Sequence, residues 1–264
     1  MRCLDVIALV LLLSCGVHMS KVGFDWDYFT FSQQWPPAVC ISGEREHHTC
    51  DIPADIQYWV VHGLWPSRSG SKGPEDCNSS YPFVESQIQP IETQLDTVMP
   101  NLYTDTPHTS FWEHEWDKHG TCCTDFATTA NELDYFTAIM NLHSKFNLLR
   151  ILGDYGINPG KTSSYTLDEY QKALNESLGQ EPLVYCVYNE KSREQVISQV
   201  EICIDKTFQP ITCEKTMQED AKVLRFSQHG FLHYRARNTN KQQKWAESNC
   251  PKTKKIYYPS IGNS

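Results

Sequence analysis

Cysteine usage constrains this chain more than any other feature. Eleven cysteines fall within 264 residues, too many for an ordinary reduced protein and too few for a disulfide miniature. Two of them, Cys3 and Cys15, lie beside or within the apolar run VIALVLLLSCGV at residues 6–17. That run follows Arg2 and precedes a polar stretch, so residues 1–20 read as a secretory signal peptide cleaved between 16 and 20. It is shorter than the roughly 20 residues a spanning helix needs, and no later segment is apolar enough, so no membrane span is expected. Without the signal, nine cysteines remain: Cys40, Cys50, Cys77, Cys122, Cys123, Cys186, Cys203, Cys213 and Cys250. In an oxidising compartment an odd number implies four disulfides and one leftover thiol, and the adjacent pair Cys122 and Cys123 is the natural place for it. The absence of CxxC disfavours a zinc ribbon or a thioredoxin. Sequons at Asn78 and Asn175 fit a glycosylated secreted protein whose N-glycans receptors can read, with lysosomal residence as the alternative.

Residues 21–264 contain no repeat, low-complexity block or long linker and are expected to form one domain. Aromatic alternation over 24–35, 57–62, 183–188 and 195–204 predicts strands. Phe83, Ile88, Ile91, Leu95 and Met99 recur at near-helical spacing, with Pro90 set to kink or divide the element. Residues 131–150 place Leu133, Phe136, Ile139, Met140, Leu142 and Phe146 on one broad face behind Asn131, a candidate cap. Thr166 with Glu169 is a capping-box pattern that starts a helix through Leu178. Strands and helices do not alternate strictly, so the fold class is α+β. The Gly, Ser and Pro-rich stretch 67–80 reads as a surface loop near the site, because it directly follows the tightest motif in the chain.

Reactive side chains concentrate in VVHGLWP at 60–66 and FWEHEWDKHGTC at 111–122. Read as a helix, the second places His114, Lys118, Glu115 and His119 at about 0°, 40°, 100° and 140°, on one face. Glu115 and His119 are an i,i+4 pair, suited to holding and orienting the imidazole. Trp112 and Trp116 fall at about 160° and 200° and offer an apolar wall, and Gly120 is placed to end the helix. His62 stands at the end of a strand, with Gly63 allowing a close turn. The letters HEWDKH resemble HExxH, but the histidines are five apart rather than four and Lys118 would set a cation beside the metal, so no metal or other cofactor is expected. A cysteine nucleophile is also disfavoured, since Cys123 neighbours a disulfide half. Two imidazoles, a carboxylate and an ammonium suit metal-free phosphoryl transfer, in which one histidine takes a proton and the other gives one. If the nucleophile is the substrate's own 2′-hydroxyl, the substrate is RNA and DNA is excluded by chemistry.

QQWPPAVC at 33–40, HGLWP at 62–66 and FWEHEWDKHGTC at 111–122 resemble the signature blocks of the ribonuclease T2 family of secreted, acid-preferring endoribonucleases, and the likeness continues through GINPGKTSSYTLDEYQKAL and QVEICID. The resemblance implies one α+β domain built on an antiparallel sheet packed with helices, and cleavage of single-stranded RNA through 2′,3′-cyclic phosphates to 3′-phosphates. By matching motif positions, it makes His62 the general acid and His119 the general base. Glu115 and Lys118 would stabilise the transition state, and His114 would help to hold phosphate. Trp65 matches a base-stacking tryptophan, and Gln34, Asn101 and Phe111 lie where some members hold the next base. Many members carry Asp after HGLWP, where this chain has Ser67, so base preference does not carry over. The implied bridges are Cys40 with Cys50, Cys77 with Cys122, Cys186 with Cys250 and Cys203 with Cys213. Cys123 is then left over, in a monomer or as a link to a second chain. A silent RNA-binding or signalling protein on the same fold is the alternative.

The chain carries a net charge of -9, which by itself argues against a partner held by charge alone. Its histidines, protonated at acidic pH, would bring that charge to about zero, which is compatible with RNA as a transient substrate.

Overall fold

The computed structural model describes residues 23–71, 73–213 and 248–262, and the backbone of two short strands at 217–218 and 244–245. The expected signal peptide lies outside the described residues. In chain order the elements are β1 (Tyr28–Gln34), α1 (Pro36–Arg45), β2 (Val60–Ser67), α2 (Glu85–Ile88), α3 (Glu92–Val98), α4 (Ser110–Lys118), α5 (Glu132–Lys145), α6 (Leu148–Gly153), β3 (Ser164–Tyr165), α7 (Leu167–Leu178), β4 (Leu183–Asn189), β5 (Glu194–Ile204), β6 (Met217–Gln218), β7 (Lys244–Trp245) and β8 (Ile256–Tyr257).

Six strands form the main sheet in the order β2-β1-β5-β8-β3, with β4 paired to the other side of β5. All pairings in it are antiparallel except β5 with β8, which is parallel at Val196 and Tyr257. The sheet is therefore mixed rather than wholly antiparallel. Two irregularities matter for function. Ser32 pairs with Gly63 and Gln33 with Val61, so His62 is the extra residue of a bulge in β2. Tyr185 pairs with Gln199 and Cys186 with Ile197, so Ser198 is the extra residue in β5.

Helices cover the face of the sheet that carries Phe29, Phe31, Val61 and Leu64. Pro90 does divide its element: a 3₁₀ turn at Gln89–Ile91 separates α2 from α3. Asn131 caps α5 by accepting the Asp134 N–H at 3.0 Å, and Thr166 with Glu169 forms the complete capping box of α7, which ends on Gly179 at φ 70°. From α5, Phe136, Ile139 and Leu142 enter the core, while the Tyr135 hydroxyl donates to the Leu64 carbonyl at 2.8 Å and so ties this helix to β2.

Disulfides join Cys40 to Cys50, Cys77 to Cys122, Cys186 to Cys250 and Cys203 to Cys213. Cys123 is free and fully buried, and burial pushes its thiol up to about 12, so a link to a second chain would require opening the fold. Among the described residues no helix is long and apolar enough to cross a membrane.

Candidate active site

Helix α4 is positioned by what it buries. Trp112 and Trp116 are fully buried; their indole N–H groups donate to the Met99 carbonyl at 2.7 Å and the Tyr81 carbonyl at 3.0 Å. The two tryptophans are thus core anchors, not a wall of the cleft as the helical wheel suggested. A stripe between the polar arc and its opposite face is pulled into whichever side offers more apolar contact. With them inside, the polar arc turns toward β2. The helix ends on His119, and a 3₁₀ turn at Gly120–Cys123 follows. Gly120 serves packing rather than a left-handed cap, since a Cβ there would lie 2.3 Å from Cε3 of Trp116.

The strand side differs from its sequence reading. β2 does not stop at His62 but runs on to Ser67, and no turn forms at Gly63. The bulge instead re-aims the His62 side chain. Gly63 is needed for close approach: a Cβ would sit 2.1 Å from Glu115 Oε2 and 2.4 Å from Trp65 Nε1. Over that glycine the Trp65 indole donates to Glu115 Oε2 at 2.8 Å, joining strand to helix.

Around this joint the titratable groups converge. Glu115 Oε1 lies 3.8 Å from His62 Nε2 and 3.9 Å from His114 Nε2. Its carboxylate is turned toward these groups and Trp65. The Trp65 ring stands edge-on to the His62 imidazole at 5.1 Å and is tilted against the His119 imidazole at 5.4 Å. One indole therefore contacts both histidines. Phe111 stacks near His62 at 6.0 Å.

Burial dominates the electrostatics. Glu115 is 1% exposed, and desolvation raises it to about 8, against the Trp65 hydrogen bond and the Lys118 charge, which lower it. Desolvation also lowers His62, opposed by its hydrogen bond to the Gln199 side-chain oxygen and assisted by Lys118. His114 is lowered to about 3 by burial, then by the charges of Lys118 and His62, so it is a neutral imidazole at ordinary pH.

The 67–80 loop contributes residues that the motifs did not single out. Glu75 Oε1 lies 3.8 Å from Lys118 Nζ, and the Asp76 N–H donates to the Lys118 carbonyl at 2.9 Å. With Cys77 bonded to Cys122, the loop is strapped along the end of α4. The glycine-rich composition and adjacency to HGLWP were the only sequence signals for it. Asp117, on the far side of the helix, accepts the Phe83 N–H at 3.1 Å.

Base-side residues divide. Gln34 is the register partner of both Val60 and Gln199, next to the histidine-bearing bulge of the sheet. Asn101 is committed to its own loop: its amide donates to Thr106 Oγ1 and the Pro107 carbonyl, each at 2.9 Å, and it accepts the Tyr103 N–H at 3.1 Å. A contact to substrate would displace one of these. Ser67 donates to the Trp65 carbonyl and accepts from Thr30. Asn78 is exposed, whereas Asn175 is partly buried on the last turn of α7. Among the described residues no group of three or more His, Cys, Asp or Glu is disposed to hold a metal ion.

The α+β scaffold brings imidazoles, a buried carboxyl and an ammonium to one cleft, a set of groups suited to acid–base chemistry. The ribonuclease T2 family model matches residues 26–213, and the chain belongs to that family. It is 41% identical to Ribonuclease Oy of Magallana gigas over 239 residues, covering 90% of this chain and 98% of that protein. Ribonuclease T2 of Danio rerio is 32% identical over 206 residues, 78% of this chain and 80% of that protein. Among solved structures, RNase NT in complex with 5′-AMP superposes with a TM-score of 0.66 at 28% identity, over 90% of this chain and 100% of that one. Human RNase T2 shares the fold, with a TM-score of 0.62 at 24% identity, over 89% of this chain and 99% of that one. The chain is a T2-type endoribonuclease.

Proposed function

We propose that this endoribonuclease cleaves single-stranded RNA without a metal, through a 2′,3′-cyclic phosphate, in a secretory or lysosomal compartment. The observation that carries the reading is the Trp65 indole in contact with the imidazoles of both His62 and His119, which brings a proton acceptor and a proton donor to one cleft.

His119 takes the proton of the 2′-hydroxyl, and the 2′-oxygen forms a bond to phosphorus. The bond from phosphorus to the 5′-oxygen breaks as His62 delivers a proton to that oxygen. Products are a 2′,3′-cyclic phosphate and a 5′-hydroxyl. Water then opens the cyclic ester with the two histidines exchanging roles, leaving a 3′-phosphate. Lys118 and a protonated Glu115 face the charge that grows on the non-bridging oxygens, and neutral His114 donates one hydrogen bond to them. Trp65 and Phe111 offer ring faces to bases. Burial lowers His62, so the acid loses its proton as pH rises, and activity falls on the alkaline side.

Four disulfides fit an oxidising compartment, and Asn78 is the better exposed of the two sequons. Digestion of an oligoribonucleotide in excess EDTA tests the chemistry. Transient cyclic-phosphate ends and an inert deoxyribonucleotide control are expected; abolition by EDTA, or equal cutting of DNA, overturns it.

A further inference from the structure

Behind His62, on the side away from Glu115, lies a chain of partly buried polar groups that the reaction does not explain. His62 Nδ1 lies 2.7 Å from Gln199 Oε1. Gln199 Nε2 donates to Glu201 Oε1 at 2.7 Å, and the Tyr185 hydroxyl donates to Glu201 Oε2 at 3.2 Å. Tyr185 is the register partner of Gln199 across β4 and β5, and Gln199 and Glu201 alternate onto one face of β5.

We propose that Gln199, Glu201 and Tyr185 are positioning residues that fix the tautomer and the aim of His62. This rests on the reading of His62 as the general acid. An amide has one accepting end and one donating end. Glu201 Oε1 accepts, so Gln199 must present its NH₂ there and its oxygen to His62. That oxygen cannot donate, so Nδ1 of His62 must carry a proton. Nε2, the nitrogen that faces Glu115, is then the one free to gain and lose the catalytic proton.

Without the carboxylate, either end of the amide could turn to the imidazole and Nδ1 could become an acceptor. Burial raises Glu201 to about 7, so its ionisation changes near the working range. Tyr185 removes the consequence: its hydroxyl can reverse and accept a proton held on Oε2, leaving Oε1 an acceptor in both states. The relay also opposes the desolvation of His62, because a hydrogen bond to Nδ1–H favours the imidazolium. The other titratable or charged groups around this imidazole are Glu115, His114 and Lys118 of α4. Glu115 meets Nε2, and His114 shares the same Glu115 oxygen, whereas the relay meets Nδ1.

The first test needs no variant. In the full chain, ¹⁵N shifts of the neutral His62 ring should report the Nδ1–H tautomer; an Nε2–H tautomer overturns the proposal. Gln199→Leu should lower the His62 pKa, move the alkaline limb of the kcat profile to lower pH and cut kcat by about 10- to 100-fold, with KM within about twofold. Glu201→Leu should follow it, whereas Glu201→Gln, which can still accept from Gln199 and donate to Tyr185, should stay within about threefold of the parent. Unchanged His62 tautomer and titration in Gln199→Leu would sink the relay, whatever kcat does. Should that variant fail to fold, the parent tautomer and Glu201→Leu decide. A parent chain that cuts no RNA would overturn the functional reading instead, and the ring shifts would still judge the relay.

Discussion

The two imidazoles reach the cleft from opposite kinds of structure. His119 closes α4, next to Glu115, Lys118 and the buried tryptophans of the same nine-residue helix, so its placement is settled within about two turns of chain. His62 sits at a bulge in β2, and its partner Gln199 is 137 residues away. The helical half is local and strapped by the Cys77–Cys122 bridge. The strand half is assembled from β2 and the distant pair β4 and β5. Local geometry survives small errors elsewhere, whereas an imidazole aimed by sheet register depends on every pairing that sets that register.

Removing the rings themselves should have the largest effect. His62→Ala and His119→Ala are each expected to lower kcat by about 10²- to 10⁴-fold, measured by single-turnover cleavage, and parent-like rates in either would erase the symmetry between the halves. Next comes the joint. Gly63→Ala places a methyl 2.1 Å from Glu115 Oε2, so it should push the Trp65 and Glu115 contact apart and cost about 10²-fold in activity while far-UV circular dichroism is kept. Retained activity would mean that the halves do not need that contact.

A milder change addresses the strap. Glu75→Gln removes one counter-charge from beside the Lys118 ammonium and should strengthen phosphate binding, lowering KM by roughly two- to fivefold, the range of a partly exposed ion pair. A raised KM would show that Glu75 positions Lys118 rather than neutralising it. The smallest effect concerns stability on the helical side. Glu132 is fully buried and accepts the Val84 N–H at 2.9 Å, and burial raises it to about 7 from an ordinary 4.5. Its folded-state pKa is the higher one, so its contribution is complete below about pH 4.5 and is lost as pH rises through about 7. Glu132→Gln should therefore narrow the gap in Tm between pH 5 and pH 8 by roughly 2–4 °C, the shift that about 1 kcal/mol produces at this chain length. An unchanged gap in calorimetry would assign the pH response elsewhere.

Legibility in the sequence follows the same division. The capping box at Thr166, the cap at Asn131 and the break at Pro90 were readable because each is decided within one turn of chain. The shared face of His114, Glu115, Lys118 and His119 was readable for the same reason. The reading failed where packing chose between local options. Trp112 and Trp116 went inward because donors and apolar area met acceptors at Met99 and Tyr81. Gly63 proved to be a gap for Glu115 instead of a turn. Gln199 and Glu201 lie in the matching stretch QVEICID, but what they do, like what Glu75 does, shows only through partners that the fold brings to them.

By itself, then, the sequence determined the cysteine arithmetic, the α+β class, the helical half of the cleft and, through its signature blocks, the family. Those are properties of composition and of neighbours a few residues apart. The tertiary structure alone decided which way His62 points, what holds its other nitrogen, where the Glu115 carboxylate turns and which loop residue meets Lys118. These depend on sheet register and on burial, and burial in turn sets the charge of Glu115, His114 and Glu201 by withholding water from them.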